Sequence, residues 1–210
     1  MSPPHRRHGE HEPRARHETR VTADAWTTEP LPGEERSRWN PDAPVWQAWN
    51  GMSPEYEFCE FVGALARVVK PALVIETGVG QGFATRRIAA GLPPGSVLMA
   101  FESDEAWRAR LASLPFFDGL RMLLADEPTP SDDELATADL FVADSGFRFR
   151  FDEVSRWAER AKKGSYIVVH DTGNGHPHWT PHHKLGELIA SLAIDGIRLP
   201  NPRGSFVGQR

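Results

Sequence analysis

Ala72-Leu73-Val74-Ile75-Glu76-Thr77-Gly78-Val79-Gly80-Gln81-Gly82 joins an apolar run to a loop with glycine at every second position. The run 72–76 is short, apolar and closed by an acid, the pattern of a strand buried on both faces. Glycines 78, 80 and 82 permit positive φ and let a ligand come close to the backbone. Residues 83–90 then follow a helical pattern. Strand, glycine loop and helix open a parallel α/β unit. In such a sheet ligands bind outside the carboxyl ends of the strands, where the topology switches.

Downstream the same alternation continues. Strands are expected at 96–101, 120–124, 140–143 and 166–169, with helical stretches at 105–111, 132–136, 151–161 and 183–192. Two last strands, 197–199 and 205–208, are separated by only 200–204, which allows an antiparallel hairpin but no parallel crossover. The expected fold is a Rossmann-like, doubly wound sheet of seven strands. It is mostly parallel with an antiparallel C-terminal hairpin, and helices cover both faces. Upstream, Ser53-Pro54-Glu55 reads as a helix start: a capping serine, a proline at the first position and an acid at the positive end of the dipole. Phe58, Phe61, Val62, Leu65 and Val69 recur at helical spacing, and Pro71 ends that helix.

The remaining N-terminal sequence is different. The opening stretch 5–20 alternates Arg, His and Glu without apolar periodicity, and residues 1–40 read as a disordered tail. Residues 41–70 read as a lid and helix, with Trp39, Trp46 and Trp49 clustered near its beginning, and 71–210 as the core. The chain has 210 residues and a net charge of -5, so its field gives no reason to expect a nucleic-acid partner. The single cysteine, Cys59, excludes an internal disulfide and reads as a core residue. No run is long and apolar enough for a membrane span and no signal peptide is recognisable, so the expectation is a cytoplasmic protein without a membrane partner. The apolar helix at 56–69 leaves a homodimer open.

The glycine loop discriminates between ligands. A dinucleotide loop needs its third glycine at position 83, which is Phe83, and no Gly-Lys-Ser/Thr follows to cradle a phosphate. Glu76 would repel a pyrophosphate and attract a cation, which favours S-adenosylmethionine with its ammonium and sulfonium. Glu76-Thr77-Gly78-Val79-Gly80-Gln81-Gly82 resembles motif I of the class I S-adenosylmethionine-dependent methyltransferases, and the resemblance extends over about residues 53–210. It implies cofactor contacts from Glu76, Thr77, Gly78, Gly80 and Gly82. It further implies Glu102 on the ribose hydroxyls, Asp126 near adenine, and Asp144 after the fourth core strand.

On the acceptor side, Asp144, His170 and Asp171 end the fourth and fifth core strands. Two mechanisms compete. His170 serves as general base with a carboxylate holding its tautomer, or Asp144 and Asp171 bind a divalent cation such as magnesium that acidifies an acceptor hydroxyl. The second resembles the metal-dependent small-molecule O-methyltransferases, although Asp171-Thr172 departs from their paired Asp-Asn or Asp-Asp. Arg148 and Arg150 could hold an acceptor anion or start a solvated helix. His176, His178, His182 and His183 share a loop with Trp179, and their spacing fits no defined zinc set. The expected function is methyl transfer to a small-molecule acceptor, with a metabolite hydroxyl ahead of nitrogen. The competing readings are a non-catalytic adenosyl-binding partner subunit and, disfavoured by Phe83, a nicotinamide-dependent oxidoreductase.

Overall fold

The structure is a computed structural model that describes residues 17–20, 54–80, 82–112, 121–125, 129–173, 180–201 and 203–210. Its framework is one eight-stranded sheet. In chain order the strands are β1 (His17–Arg20), β2 (Leu73–Thr77), β3 (Val97–Phe101), β4 (Arg121–Ala125), β5 (Leu140–Ala143), β6 (Tyr166–His170), β7 (Asp195–Leu199) and β8 (Ser205–Gln209). Their spatial order is β1-β4-β3-β2-β5-β6-β8-β7. Strands β2 to β6 pair in parallel, and β8 runs antiparallel to both β6 and β7. The seven expected strands are therefore all present, with the antiparallel hairpin at the expected edge.

The eighth strand is a correction to the sequence reading. His17–Arg20 lies within the stretch assigned to a disordered tail, yet it pairs antiparallel with β4 at the opposite edge. Edge pairing uses backbone groups alone, so a segment without apolar alternation can still supply it. The other residues of 1–40, with Trp39, and residues 41–53, with Trp46 and Trp49, lie outside the described residues.

Strand residues alternate between two layers, as a two-residue side-chain period requires. Val74, Leu98, Leu140, Val142 and Val168 pack with α1 (Tyr56–Val69) and α2 (Phe83–Gly91) through Phe58, Val62, Phe83 and Ile88. Ile75, Phe101, Phe141, Ile167 and Val169 pack with α4 (Asp132–Thr137), α5 (Phe147–Arg160) and α6 (Thr180–Ser191) through Leu135, Val154, Trp157, Leu185 and Ile189. Helix α3 (Glu105–Ala112) lies between β3 and β4 in the chain. Cys59 is fully buried against the first layer, as expected of a core thiol.

Three helix starts differ from the sequence pattern, among them α6, which begins at Thr180 and not at the expected 183. Helix α1 begins at Tyr56, and Glu55 stands at its cap position without a capping bond from its side chain. That carboxylate is committed elsewhere in the molecule, as described below. Helix α5 begins at Phe147, four residues before the expected 151, because Gly146 supplies the cap position immediately after β5. Arg150 is thereby placed on an inward-facing turn and is buried. No helix among the described residues is long and apolar enough to cross a membrane.

Candidate functional site

The strand order reverses beside β2, which pairs with β3 on one side and β5 on the other. The loops after β2 and β5 therefore diverge at the switch point and flank a crevice. They are also in contact. Asp144 N–H donates to the Thr77 carbonyl (3.0 Å) and Gly78 N–H to the Phe101 carbonyl (2.9 Å). Gly78 has φ 72°, and a Cβ there would lie 2.1 Å from the Asp144 carbonyl oxygen. Only glycine satisfies both the left-handed backbone and that approach. Gly80 N–H donates to Glu102 Oε2 (2.6 Å), and Asp104 N–H donates to Glu102 Oε1 (2.8 Å). Gly82, also at positive φ, takes the cap position of α2.

The resulting cleft has a volume of about 530 Å³. Gly78, Val79, Gly80, Glu102 and Trp107 form one wall, and Asp144 to Arg150 with Asp171 and Arg203 form the other. Gly78, Gly80, Glu102, Asp144 and Asp171 are thus brought together at the expected place. Glu76 and Thr77 are not among the lining residues. The Thr77 hydroxyl donates to Glu153 Oε2 (3.0 Å), which also accepts from Ser145 (2.6 Å). Glu76 is buried, and its Oε2 has no hydrogen-bond partner. Burial pushes its carboxyl from 4.5 to about 8; the Thr85 hydroxyl opposes this, and the nearby Asp144 and Glu102 reinforce it. At neutral pH Glu76 is largely uncharged, and the carboxylates that line the cleft are Glu102, Asp104, Asp144 and Asp171. That corrects the sequence argument, which placed the attracting charge on Glu76.

Next to the cleft lies a cluster of six ionisable side chains. His170 is completely buried at the end of β6. Its Nε2 lies 2.5 Å from Glu55 Oε2 and its Nδ1 3.0 Å from Asp144 Oδ1, while the Phe58 ring packs at 4.2 Å between centroids. Burial alone would depress the imidazole, but Asp171, Asp144 and Glu55 outweigh it and raise it from 6.5 to about 10. Burial works against ionisation of Glu55 too, yet His170 and then Arg203 hold its carboxyl below the usual value. Glu55 Oε1 accepts from the Arg203 N–H (2.8 Å) and the Asn201 amide (3.3 Å).

Arg150 bridges the two aspartates. Its Nη1 donates to Asp171 Oδ2 (2.9 Å) and to the His170 carbonyl (3.0 Å), and its Nη2 donates to Asp144 Oδ1 (2.9 Å). Arg203 grips Asp171 from the other side, with Nη2 2.9 Å from Oδ2 and Nε 2.5 Å from Oδ1. Asp171 is held well below the usual carboxylate range: burial opposes this, and His170, Arg150 and Arg203 outweigh it. Its φ is 58°, a left-handed conformation that Asp tolerates better than most side chains and that recurs at functional sites. One ligand atom each from Asp144, His170 and Asp171 lie within 4.8 Å of one another, a grouping compatible in spacing with a metal ion.

Arg148 is exposed on the cleft rim, its guanidinium 4.3 Å over the Phe149 ring. His182 is buried in α6 beside Phe147 and 3.8 Å from Asp171, whereas His183 is exposed. Asp126 and residues 174–179, with His176, His178 and Trp179, lie outside the described residues. Sequence reasoning missed Glu55 and Arg203. Glu55 fits a helix start so well that a second use left no signal, and Arg203 lies in a hairpin turn where arginine is unremarkable.

No protein-family model matches the chain, and no curated protein sequence does. Solved structures do match its fold. One is TomG, the O-methyltransferase of Streptomyces achromogenes involved in tomaymycin synthesis, in complex with S-adenosylmethionine. It is 16% identical with a TM-score of 0.56, covering 75% of this chain and 81% of its own. The methyltransferase PaMTH1 of Podospora anserina, bound to S-adenosylhomocysteine, is 15% identical with a TM-score of 0.58 over 75% of this chain and 80% of its own. The O-methyltransferase of Bacillus cereus, with the same ligand, is 16% identical with a TM-score of 0.53 over 77% and 84%. At these identities the likeness shows a shared Rossmann-like methyltransferase fold.

Proposed function

We propose that this chain, built on the fold of S-adenosylmethionine-dependent O-methyltransferases, transfers a methyl group from that cofactor to a hydroxyl of a small molecule. One observation carries the reading. The cleft at the switch point has a glycine loop tied to Glu102 on one wall, and a carboxylate, Asp144, set in aromatic and cationic side chains on the other. When bound, the cofactor supplies a methyl carbon made electrophilic by its sulfonium. Glu102 would exchange its contacts with Gly80 and Asp104 for the two ribose hydroxyls, since a carboxylate accepts both hydrogen bonds of a vicinal diol.

Of the three acceptor-side candidates, Asp144 is best placed to receive a proton. It lines the cleft and keeps 14% of its side chain exposed. His170 is fully enclosed between two carboxylates and, raised to about 10, already carries its proton at neutral pH. It acts as a donor that fixes Asp144, and Asp171 anchors the arginines behind. The bound cofactor would supply the methyl group and leave as a neutral thioether, and the proton of the methylated hydroxyl would pass to Asp144. Proximity and orientation supply most of the acceleration in such a displacement.

Calorimetry with S-adenosylhomocysteine, followed by radiolabelled methyl transfer to a panel of phenolic and aliphatic hydroxyl and amine acceptors, tests the reading. Saturable binding and turnover are expected, with Asp144→Asn lowering kcat about 100-fold and cofactor binding retained. Binding without turnover on any acceptor would favour a non-catalytic adenosyl-binding subunit. Preferential binding of NADH would overturn the assignment.

A further inference from the structure

The grouping of Asp144, His170 and Asp171 has the spacing of a metal site, but its ligand atoms are already engaged. We infer that the guanidinium of Arg150 permanently occupies the cation position between Asp144 and Asp171, with Arg203 holding Asp171 from the other side, so that this site works without a divalent metal. The inference rests on the methyltransferase reading only for the chemistry it serves; its geometry stands apart from that reading.

Three observations carry it. The first is space. A divalent ion would bind carboxylate oxygens at about 2.0 to 2.6 Å. Arg150 Nη1 and Nη2 stand 2.9 Å from Asp171 Oδ2 and Asp144 Oδ1, and Arg203 Nε stands 2.5 Å from Asp171 Oδ1. The arginine nitrogens fill the volume an ion would need. The second is charge. Two carboxylates face two guanidiniums, and arginine does not deprotonate in proteins, so the group is neutral before any ion arrives. Adding a dication would leave two positive charges uncompensated where Arg150 and Asp171 have side chains only 4% and 3% exposed. The third is anchorage. Arg150 also donates to the His170 carbonyl, and the Arg203 backbone N–H donates to Glu55. Arg150 cannot swing away without leaving the buried His170 carbonyl short of a donor, and the Arg203 side chain cannot leave without taking a donor from Asp171 Oδ2, while its backbone stays pinned to Glu55.

Sequence gives an accompanying sign. The second residue of the pair after β6 is Thr172, whose side chain offers neither a carboxylate nor an amide oxygen. Asp144 and Asp171 are retained, but as partners of arginine. Arg150 is then a positioning residue: it fixes the cleft-facing carboxylate of Asp144 in place of an ion.

Manganese is the probe, read by the paramagnetic resonance of the free ion titrated into the full chain, with and without S-adenosylhomocysteine. The wild type is expected to leave the free-ion signal undiminished at millimolar metal. Arg150→Met and Arg150→Met/Arg203→Met, which release the two carboxylates, are expected to take up one equivalent, and Asp171→Asn added to either should abolish that uptake. Stoichiometric micromolar binding by the wild type, lost in Asp144→Asn, would overturn the inference while leaving the methyltransferase reading intact. If circular dichroism shows the Arg150 variants unfolded, the wild-type titration decides alone. Where turnover is found, excess chelator should change its rate less than twofold, and a tenfold loss restored by magnesium would refute the inference. Absence of turnover on every acceptor would count against the function and leave the manganese result standing.

Discussion

Replacing Glu76 with glutamine should make the protein more stable, and increasingly so as the pH rises. Glu76 is buried behind the glycine loop with one carboxylate oxygen unpartnered, and its carboxyl is raised from 4.5 to about 8. The sign follows from linkage. Below pH 4.5 the group is protonated both folded and unfolded and contributes no pH dependence. Between 4.5 and 8 the unfolded chain releases the proton and the folded one retains it, so stability falls as pH rises. Each pH unit in that window costs about 1.4 kcal/mol. From pH 6 to pH 8 the loss assignable to Glu76 is about 2 kcal/mol, allowing for partial ionisation near the upper end. Glutamine has nearly the same shape and does not titrate. Urea unfolding of wild type and Glu76→Gln at pH 6 and pH 8, without cofactor, should show the difference between them widening by that amount. All other titrating groups cancel in the comparison. A difference that stays constant between the two pH values would mean that Glu76 ionises normally, and the account of the strand end behind the loop would fail.

Two further predictions concern the contacts that build the cleft. Glu55→Gln should destabilise the fold by about 3 kcal/mol, because it leaves the buried His170 without its closest counter-charge. With His170 raised to about 10, its contribution is fully present below pH 6.5 and is lost as pH rises through 10; the variant should flatten that alkaline loss in urea titrations, and a decrement under about 1 kcal/mol would deny the pairing. Gly78→Ala and Gly164→Ala both force a side chain to positive φ, but a Cβ at 164 meets nothing within 4 Å whereas one at 78 meets the Asp144 carbonyl. Thermal melts should show a cost of about 1 kcal/mol at 164 and at least about 3 kcal/mol at 78; equal costs would mean that the two loops do not touch.

The fold was legible where side-chain periodicity and tight turns govern it. Alternate residues such as Val74 and Ile75 serve opposite layers, so every core strand reads as a continuous apolar run, and 200–204 is too short for anything but a hairpin. The strand His17–Arg20 was illegible because it joins the sheet by backbone pairing, without any apolar pattern. The cleft was legible in Gly78, Gly80, Glu102 and Asp144, whose positions follow from strand ends. What could not be read were contacts across long sequence separations. Glu55 meets His170 across 115 positions and Arg203 across 148. The charge state of Glu76 was misjudged for the same reason: the sequence displays an acid beside glycines but not how deeply the strand end is enclosed.

The bond between Glu55 and Arg203 also orders events during synthesis. The glycine loop and the strands around it, β2, β3 and β5, leave the ribosome before Arg203 is made, and they can begin to pair as a unit. Asp171 and Glu55, however, wait for the guanidinium and the backbone donor of Arg203, which follows Asp171 by 32 positions. A growing chain therefore carries a half-neutralised polar interior until Arg203 has been added, and only then can the cleft acquire its final shape.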